Sequence, residues 1–253
     1  MHNIDTIMSN LSKLRIHIAP VGFEIDRVVL AAVKMKADKI WLIRDSNPAK
    51  DKARPYIEKI VSEFKKEKIK VEFAESDRNN VFQILKAVKE IFEKEGKNDI
   101  YVNVSSGSKI QAIACMMACM IFRESNATPY YAEPESYPAN LGKQQSVGLK
   151  DLVELPKYEI HKPKHELVEA LKIVRERGGK ITKKEMAKIA EERRIITVNA
   201  REENFEQARF ASLDKNIIQP LEEHWRFIEI EKIGRNRWIK ITPEGNHAAE
   251  FLA

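Results

Sequence analysis

Five consecutive residues, Ser105-Ser106-Gly107-Ser108-Lys109, concentrate the chemistry-bearing groups of this 253-residue chain. They follow the apolar run IYVNV (100–104) and precede the long apolar pattern IQAIACMMACMIF (110–122). Three hydroxyls, a glycine and an ammonium group suit a nucleophilic serine, a phosphate loop, a nucleotide cradle or a plain turn. A nucleophile elbow needs G-x-S-x-G, which does not occur here. A P-loop needs G-x-x-x-x-G-K-[ST]. Ser108 separates Gly107 from Lys109, and the first glycine is missing. What remains is a strand ending in small residues at the head of a helix. Such a head has unpaired N–H groups and a dipole that favours an anion. Gly107 permits close approach, the serines can donate hydrogen bonds, and Lys109 supplies charge. The same residues also describe a serine-capped helix start that holds nothing.

The surrounding rhythm places this loop. Short apolar runs at 14–19, 39–44, 69–75, 100–105 and 128–133 read as strands, and helical patterns near 24–37, 53–67, 79–95 and 108–124 separate them. Strands alternating with helices of this length imply a Rossmann-like α/β fold with a mostly parallel sheet. If the strand order is 3-2-1-4-5, strands 1 and 4 flank the point where the order reverses. Ligands of open parallel sheets bind there, outside the carboxyl ends of the strands. The loop after strand 1 (Pro20, Val21, Gly22, Phe23) then faces the same crevice as Ser105, Ser106, Gly107, Ser108 and Lys109. Asn103, polar in an apolar strand, is expected to hydrogen-bond and organise the loop. Arg44, Ser46 and Asn47 follow strand 2 and either reach this crevice or are solvated. Glu133 ends strand 5; it either accepts a hydrogen bond from an adenine amino group or is merely exposed.

After about Gly148 the pattern changes. Residues 1–150 read as the Rossmann-like domain, 151–163 as a linker or irregular strand with two prolines, and 164–253 as a second domain. The second domain shows helix, helix, helix and hairpin, the order of a winged helix-turn-helix. Leu167, Leu171 and Val174 form one apolar stripe, and Thr182 with Glu185 is a capping-box pattern. The third helix, 204–225, offers Gln207, Arg209, Ser212, Lys215, Asn216 and Gln219 as residues for base edges and phosphates. A solvated face is the plain alternative. Pro220 is expected to end or kink this helix, because it lacks a donor and restrains Gln219. Arg235 and Arg237 at the hairpin tip suit phosphate or minor-groove contact, or are simply a charged turn.

Composition narrows the classes further. No window holds eighteen consecutive apolar residues, so no membrane span is expected. The first residues lack a leader pattern, and a cytoplasmic location fits. Cys115 and Cys119 share one face of an apolar helix pattern and read as core. The histidines show no metal-ligand spacing. The net charge of +6 permits nucleic-acid binding without demonstrating it. It is not gathered in one tail, since residues 161–253 hold 19 Lys+Arg against 16 Asp+Glu.

The segment VNVSSGSK (102–109) resembles the strand-4 motif of CARF domains, the CRISPR-associated Rossmann fold. There an apolar strand with an asparagine runs into a small Thr/Ser-Gly-Gly/Ser-Thr/Ser-Lys loop. With a winged helix following, the architecture resembles the archaeal CARF–winged-helix transcriptional regulators. The resemblance spans the chain by domain order and only the loop by motif. It implies a sensor of cyclic oligoadenylate, the second messenger of type III CRISPR antiviral defence, working as a homodimer with no other cofactor. A two-fold ring suits an isologous dimer. Residues 105–109 would then meet phosphates, and residues 20–23 the ribose or base. The family's second glycine is Ser106 or Ser108 here, which leaves ligand identity and ring size open. The expected function is ligand-responsive transcription regulation through double-stranded DNA. The alternatives are a ring nuclease, for which no general base stands near the motif, and a winged helix that serves dimerisation or partner binding.

Overall fold

The computed structural model describes residues 13–49, 51–138, 144–234 and 236–252. Two units divide the chain, one running to Ile160 and the other from His161. In the first, β1 (Arg15–Pro20), β2 (Lys39–Asp45), β3 (Lys70–Ser76), β4 (Asp99–Asn103), β5 (Thr128–Glu133) and β6 (Asp151–Glu154) form one sheet in the order β3-β2-β1-β4-β5-β6. β1 to β5 are mutually parallel, and β1 lies between β2 and β4. The anticipated order therefore holds, and the reversal falls between β1 and β4. The connections are α1 (Asp26–Lys34), α2 (Arg54–Lys66), α3 (Val81–Glu95) and α4 (Lys109–Ile121). No helix of the described residues is long and apolar enough to cross a membrane.

The central strands carry Ile and Val because helices cover both faces. Ala19, Ile40 and Leu42 pack with Val28 of α1 and with Ile57, Ile60 and Phe64 of α2. α3 and α4 pack on each other. Cys115 and Cys119 are buried, and burial pushes the Cys119 thiol up to about 12, so they act as small apolar groups. Residues 151–154, expected to begin a linker or an irregular strand, are a strand of the sheet. They pair antiparallel with β5, Glu133 opposite Asp151 through Tyr130 opposite Glu154. The strand is short, polar and edge-placed, so it carries none of the apolar alternation by which strands are read.

The second unit contains α5 (His165–Glu176), β7 (Lys180–Thr182), α6 (Lys183–Glu192), α7 (Phe205–Leu213), β8 (Ile228–Ile233), β9 (Asn236–Ile241) and α8 (Pro243–Phe251). Its antiparallel sheet runs β7-β9-β8, which completes a winged helix. Leu167, Leu171 and Val174 meet Met186, Leu213, Ile217, Leu221, Ile228 and Ile239 in one core. The Thr182 hydroxyl caps α6 by accepting from Glu185 N at 3.2 Å. α7 does not stop at Pro220. It continues through two wide, π-type turns, Asp214–Ile218 and Pro220–His224. A wider turn avoids the clash between a proline ring and the carbonyl four residues back, and it needs no proline N–H.

Gly245 in the first turn of α8 lies against the chain entering β8. A Cβ there would sit 2.1 Å from Phe227 O. Overpacking of this kind costs about 1–3 kcal/mol. Gly245→Ala is therefore expected to lower the unfolding free energy of the winged helix unit by that amount in urea titrations. An unchanged midpoint would contradict the contact.

Candidate ligand site at the sheet switch point

The loops after β1 and β4 touch at the carboxyl end of the sheet. A Cβ on Gly22 would lie 3.0 Å from Gly107 Cα. A Cβ on Gly107 would lie 2.7 Å from Pro20 Cβ, and Gly107 has φ +77°. Only glycine meets both demands at position 107. Three hydrogen-bonded ties fix the contact. The Ser106 hydroxyl donates to Pro20 O at 2.7 Å. Asn103, fully buried, donates through Nδ2 to Arg27 O at 2.8 Å, while its Oδ1 accepts from Ser105 N at 2.9 Å and from the Ser105 hydroxyl. The Ser105 hydroxyl accepts from Ala132 N at 3.0 Å. Asn103 thus holds β4, β5 and α1 in one network.

The head of α4 is a complete capping box. Ser108 Oγ accepts from Gln111 N at 3.2 Å, and Gln111 Oε1 accepts from Ser108 N at 2.9 Å. Ser108 Oγ also donates to Arg78 O at 3.3 Å. All three serine hydroxyls are therefore committed within the protein, and the role of free donors expected for them passes to the backbone. The N–H groups of Ser106, Gly107, Lys109 and Ile110 have no acceptor among the described residues. Neither has the buried Gln111 Nε2. Lys109 is exposed beside them. This head of a helix, with unpaired donors and one ammonium group, attracts an anion.

The other helix head at the switch point is closed. α1 has no cap of its own, and Gln144 Oε1 accepts from Ile25 N at 3.0 Å and Asp26 N at 3.1 Å. The same segment is tied on by Gln145 N to Phe23 O (2.9 Å), the Ser146 hydroxyl to Glu24 (2.5 Å) and Gly148 N to Asp26 (2.8 Å). Glu24 and Arg27 form a buried ion pair at 3.5 Å. Arg27 also donates to Ala132 O at 2.8 Å and lies over the Tyr131 ring.

The candidate residues therefore separate. Pro20, Val21, Gly22, Asn103 and residues 105–109 come together. Phe23 turns toward Tyr56, ring centroids 5.4 Å apart. Arg44 pairs with Glu75 at 2.7 Å and lies over Phe73. It lines a different cleft of about 510 Å³ with Arg54 and Ile57, so it is not brought to the Gly22–Gly107 contact. Ser46 and Asn47 are exposed and shape the β2 loop, Asn47 N donating to Asp45 at 2.8 Å. Glu133 pairs with Lys150 at 2.8 Å, on the β5–β6 edge. Of the DNA candidates, Arg209 is held by Glu191 and Glu206, at 3.1 and 3.2 Å. Ser212 donates to Thr197 O, Asn216 to Ser212 Oγ, and Gln219 to Glu223. Gln207, Lys215 and Arg237 are exposed. Arg235 lies outside the described residues.

One residue of the site was not anticipated. Arg78, in the loop after β3, donates to Val21 O at 3.1 Å. It also stands 3.4 Å from Asp45 and 3.6 Å from Asp51. Its backbone carbonyl receives Ser108, so it links the loops after β1, β2, β3 and β4. The rule that ligands sit beyond strand ends applies to the β3 loop as well.

Beneath the site His17 is fully buried, stacked on Tyr101 and bonded through Nδ1 to the Tyr130 hydroxyl at 3.1 Å. Burial lowers its pKa from 6.5 to about 3. The unfolded chain therefore takes this proton first. His17 contributes its full stability above pH 6.5 and loses it as pH falls toward 3. Urea titrations from pH 7 to 4 should show wild type losing up to about 1.4 kcal/mol per pH unit more than His17→Phe. Parallel curves would refute the neutral, buried assignment.

Residues 15–137 match a family model described as HFX_2341_N-like, N-terminal. Residues 166–253 match the C-terminal winged helix domain of DUF6293. MJ1513, an uncharacterized protein of Methanocaldococcus jannaschii, is 29% identical over 213 residues, 73% of this chain and 64% of that relative. The chain thus spans just under two thirds of that relative's length. Among solved structures, Can2 from Sulfobacillus thermosulfidooxidans in complex with cyclic tetra-adenylate is 12% identical, with a TM-score of 0.42 over 94% of this chain and 63% of that one. Protein VC1899 from Vibrio cholerae is 12% identical, with a TM-score of 0.41 over 90% of this chain and 77% of that one.

Proposed function

We propose that this chain, whose residues 15–137 and 166–253 match an HFX_2341_N-like model and the DUF6293 winged helix model, is a CARF-type, ligand-responsive DNA-binding regulator. The observation that carries the proposal is the open head of α4, where four backbone donors and Lys109 have no partner among the described residues, at the sheet's reversal point. A phosphate group suits such donors. The resemblance of VNVSSGSK to the CARF loop makes cyclic oligoadenylate the first ligand to try. In a homodimer, a two-fold ring would meet two such heads. Its binding would bias the spacing of two winged helices and so the match to paired half-sites.

The ligand half is tested by calorimetric titration with cyclic tetra- and hexaadenylate. Wild type should bind one of them, and Lys109→Ala should bind about tenfold more weakly, the worth of one charge-assisted contact. No heat with either ring would remove cyclic oligoadenylate from the proposal.

A second reading has its own support. Residues 205–224 carry four carboxylates, Glu206, Asp214, Glu222 and Glu223, against two cations, Arg209 and Lys215. Arg209 is already paired twice. A helix so charged gains little from phosphates, which favours a winged helix that binds a partner protein or a second subunit. Mobility shifts with the DNA upstream of its own gene, repeated across salt, separate the two. The regulator reading expects binding that weakens steeply with salt. Absence of binding even at low salt leaves the partner-binding module.

A further inference from the structure

A cavity of about 590 Å³ is lined wholly by residues of the winged helix unit. Its apolar wall comes from Leu167 of α5, Ile195 and Ile196 after α6, Ile217 in the first wide turn, and Trp225. Leu167, Ile196 and Ile217 belong to the buried core, so this wall is fixed by the fold. Trp225 stacks on Phe227, centroids 5.6 Å apart, and stands edge-on to His224 at 5.0 Å. The ring is therefore held in place while half-exposed to the cavity. The charged lining includes Lys164 and Lys215 beside the carboxylate of Glu166, and a third lysine, Lys162, that has a partner of its own. Neither Lys164 nor Lys215 has an ion-pair partner among the described residues. In the same unit Lys172, Lys180, Lys183 and Lys240 all do.

Small-molecule sites are typically concave, about 300–1,000 Å³, mostly apolar, and carry a few convergent polar groups. This cavity meets each condition. We propose that it is a second ligand site, for a small amphipathic anion. A flat apolar ring would lie against Trp225 and the isoleucines, and an acidic group would be neutralised at the lysine rim. The flat ring is asked for by the fixed indole, since offset stacking and edge contacts reward aromatic partners. The anion is asked for by two ammonium groups that converge on this apolar wall and have no carboxylate partner among the described residues.

The location gives the site a consequence. Lys215 and Asn216, both among the residues assigned to DNA from sequence, line this cavity. An anion that engages Lys215 withdraws it from a phosphate. Ligand and DNA then oppose one another, and by linkage each weakens the other by the same factor. The winged helix would respond to its own small molecule independently of anything bound at α4.

The test uses the full chain and the probe pair indole-3-acetate and indole-3-acetamide, which share a ring and differ in charge. Calorimetry should show saturable binding of the acid, at least about tenfold tighter than the amide. Lys164→Glu/Lys215→Glu should weaken the acid by at least about tenfold, and Lys164→Arg/Lys215→Arg should retain it. Lys109→Ala should bind the acid like wild type, which separates this cavity from the site at α4. Thermal melts of the charge-reversed variant establish that it is folded. Equal affinity for acid and amide, wild-type affinity in the reversed variant, or no saturation with millimolar acid would each overturn the proposal.

Discussion

The carboxyl end of the sheet depends on how closely the chain at Gly22 approaches the chain at Gly107. With 3.0 Å between a would-be Cβ and the opposing backbone, the two loops behave as one body. The other ties follow from that approach. Ser106 can reach Pro20 O, Ser108 can reach Arg78 O, and Arg78 can reach Val21 O. Each tie consumes a side-chain group, so what faces outward is backbone. This arrangement is more rigid than one built on serine rotamers, because a backbone donor at a helix head has no side-chain entropy to lose. The two helix heads at the reversal point then differ for a reason. One is filled by Gln144 and the other is capped only by its own Ser108, which satisfies a single N–H and leaves others open.

Much of the architecture was legible because it rests on local patterns. Alternating apolar runs located the strands, and Thr182 marked the start of α6. Asn103 announced itself as a polar residue in a strand with both faces covered. What could not be read depends on partners far along the chain. Nothing near Ile25 indicates that Gln144 will cap it, and nothing near Arg44 indicates that Glu75 and Phe73 on the adjacent strand will hold it. Arg78 was legible in principle but masked by its neighbours in a polar loop. Pro220 was read as an end or a kink, and the helix does not end there. Anchored by Leu213, Ile217 and Leu221 in the core, it continues with wider turns.

The winged helix unit shows the opposite economy of charge. The α7 surface, chosen from sequence for its polar side chains, turns those side chains on one another: Arg209 to Glu191 and Glu206, Asn216 to Ser212, Gln219 to Glu223. Of the cations picked from sequence for DNA, Lys215 on this helix and Arg237 on β9 stay exposed. Residue type alone suggested a reading head. The hydrogen-bond pattern shows a surface whose donors are already satisfied and whose field is mildly negative along the helix. Any duplex or protein that docks here must therefore meet shape and a few isolated cations, not a basic stripe.

The Gln144 cap also bears on how the chain emerges during synthesis. β1 meets β2 within about two dozen residues, so those strands can pair early. β1 acquires β4 only some eighty residues later, and α1 receives its cap only when residue 144 has appeared. Loop closure over such spans is entropically slow to be rewarded. The first crossover helix of the sheet is thus among the last to be finished, and a ribosome-bound fragment ending before Gln144 would hold a sheet whose first crossover has an open, frayed entrance.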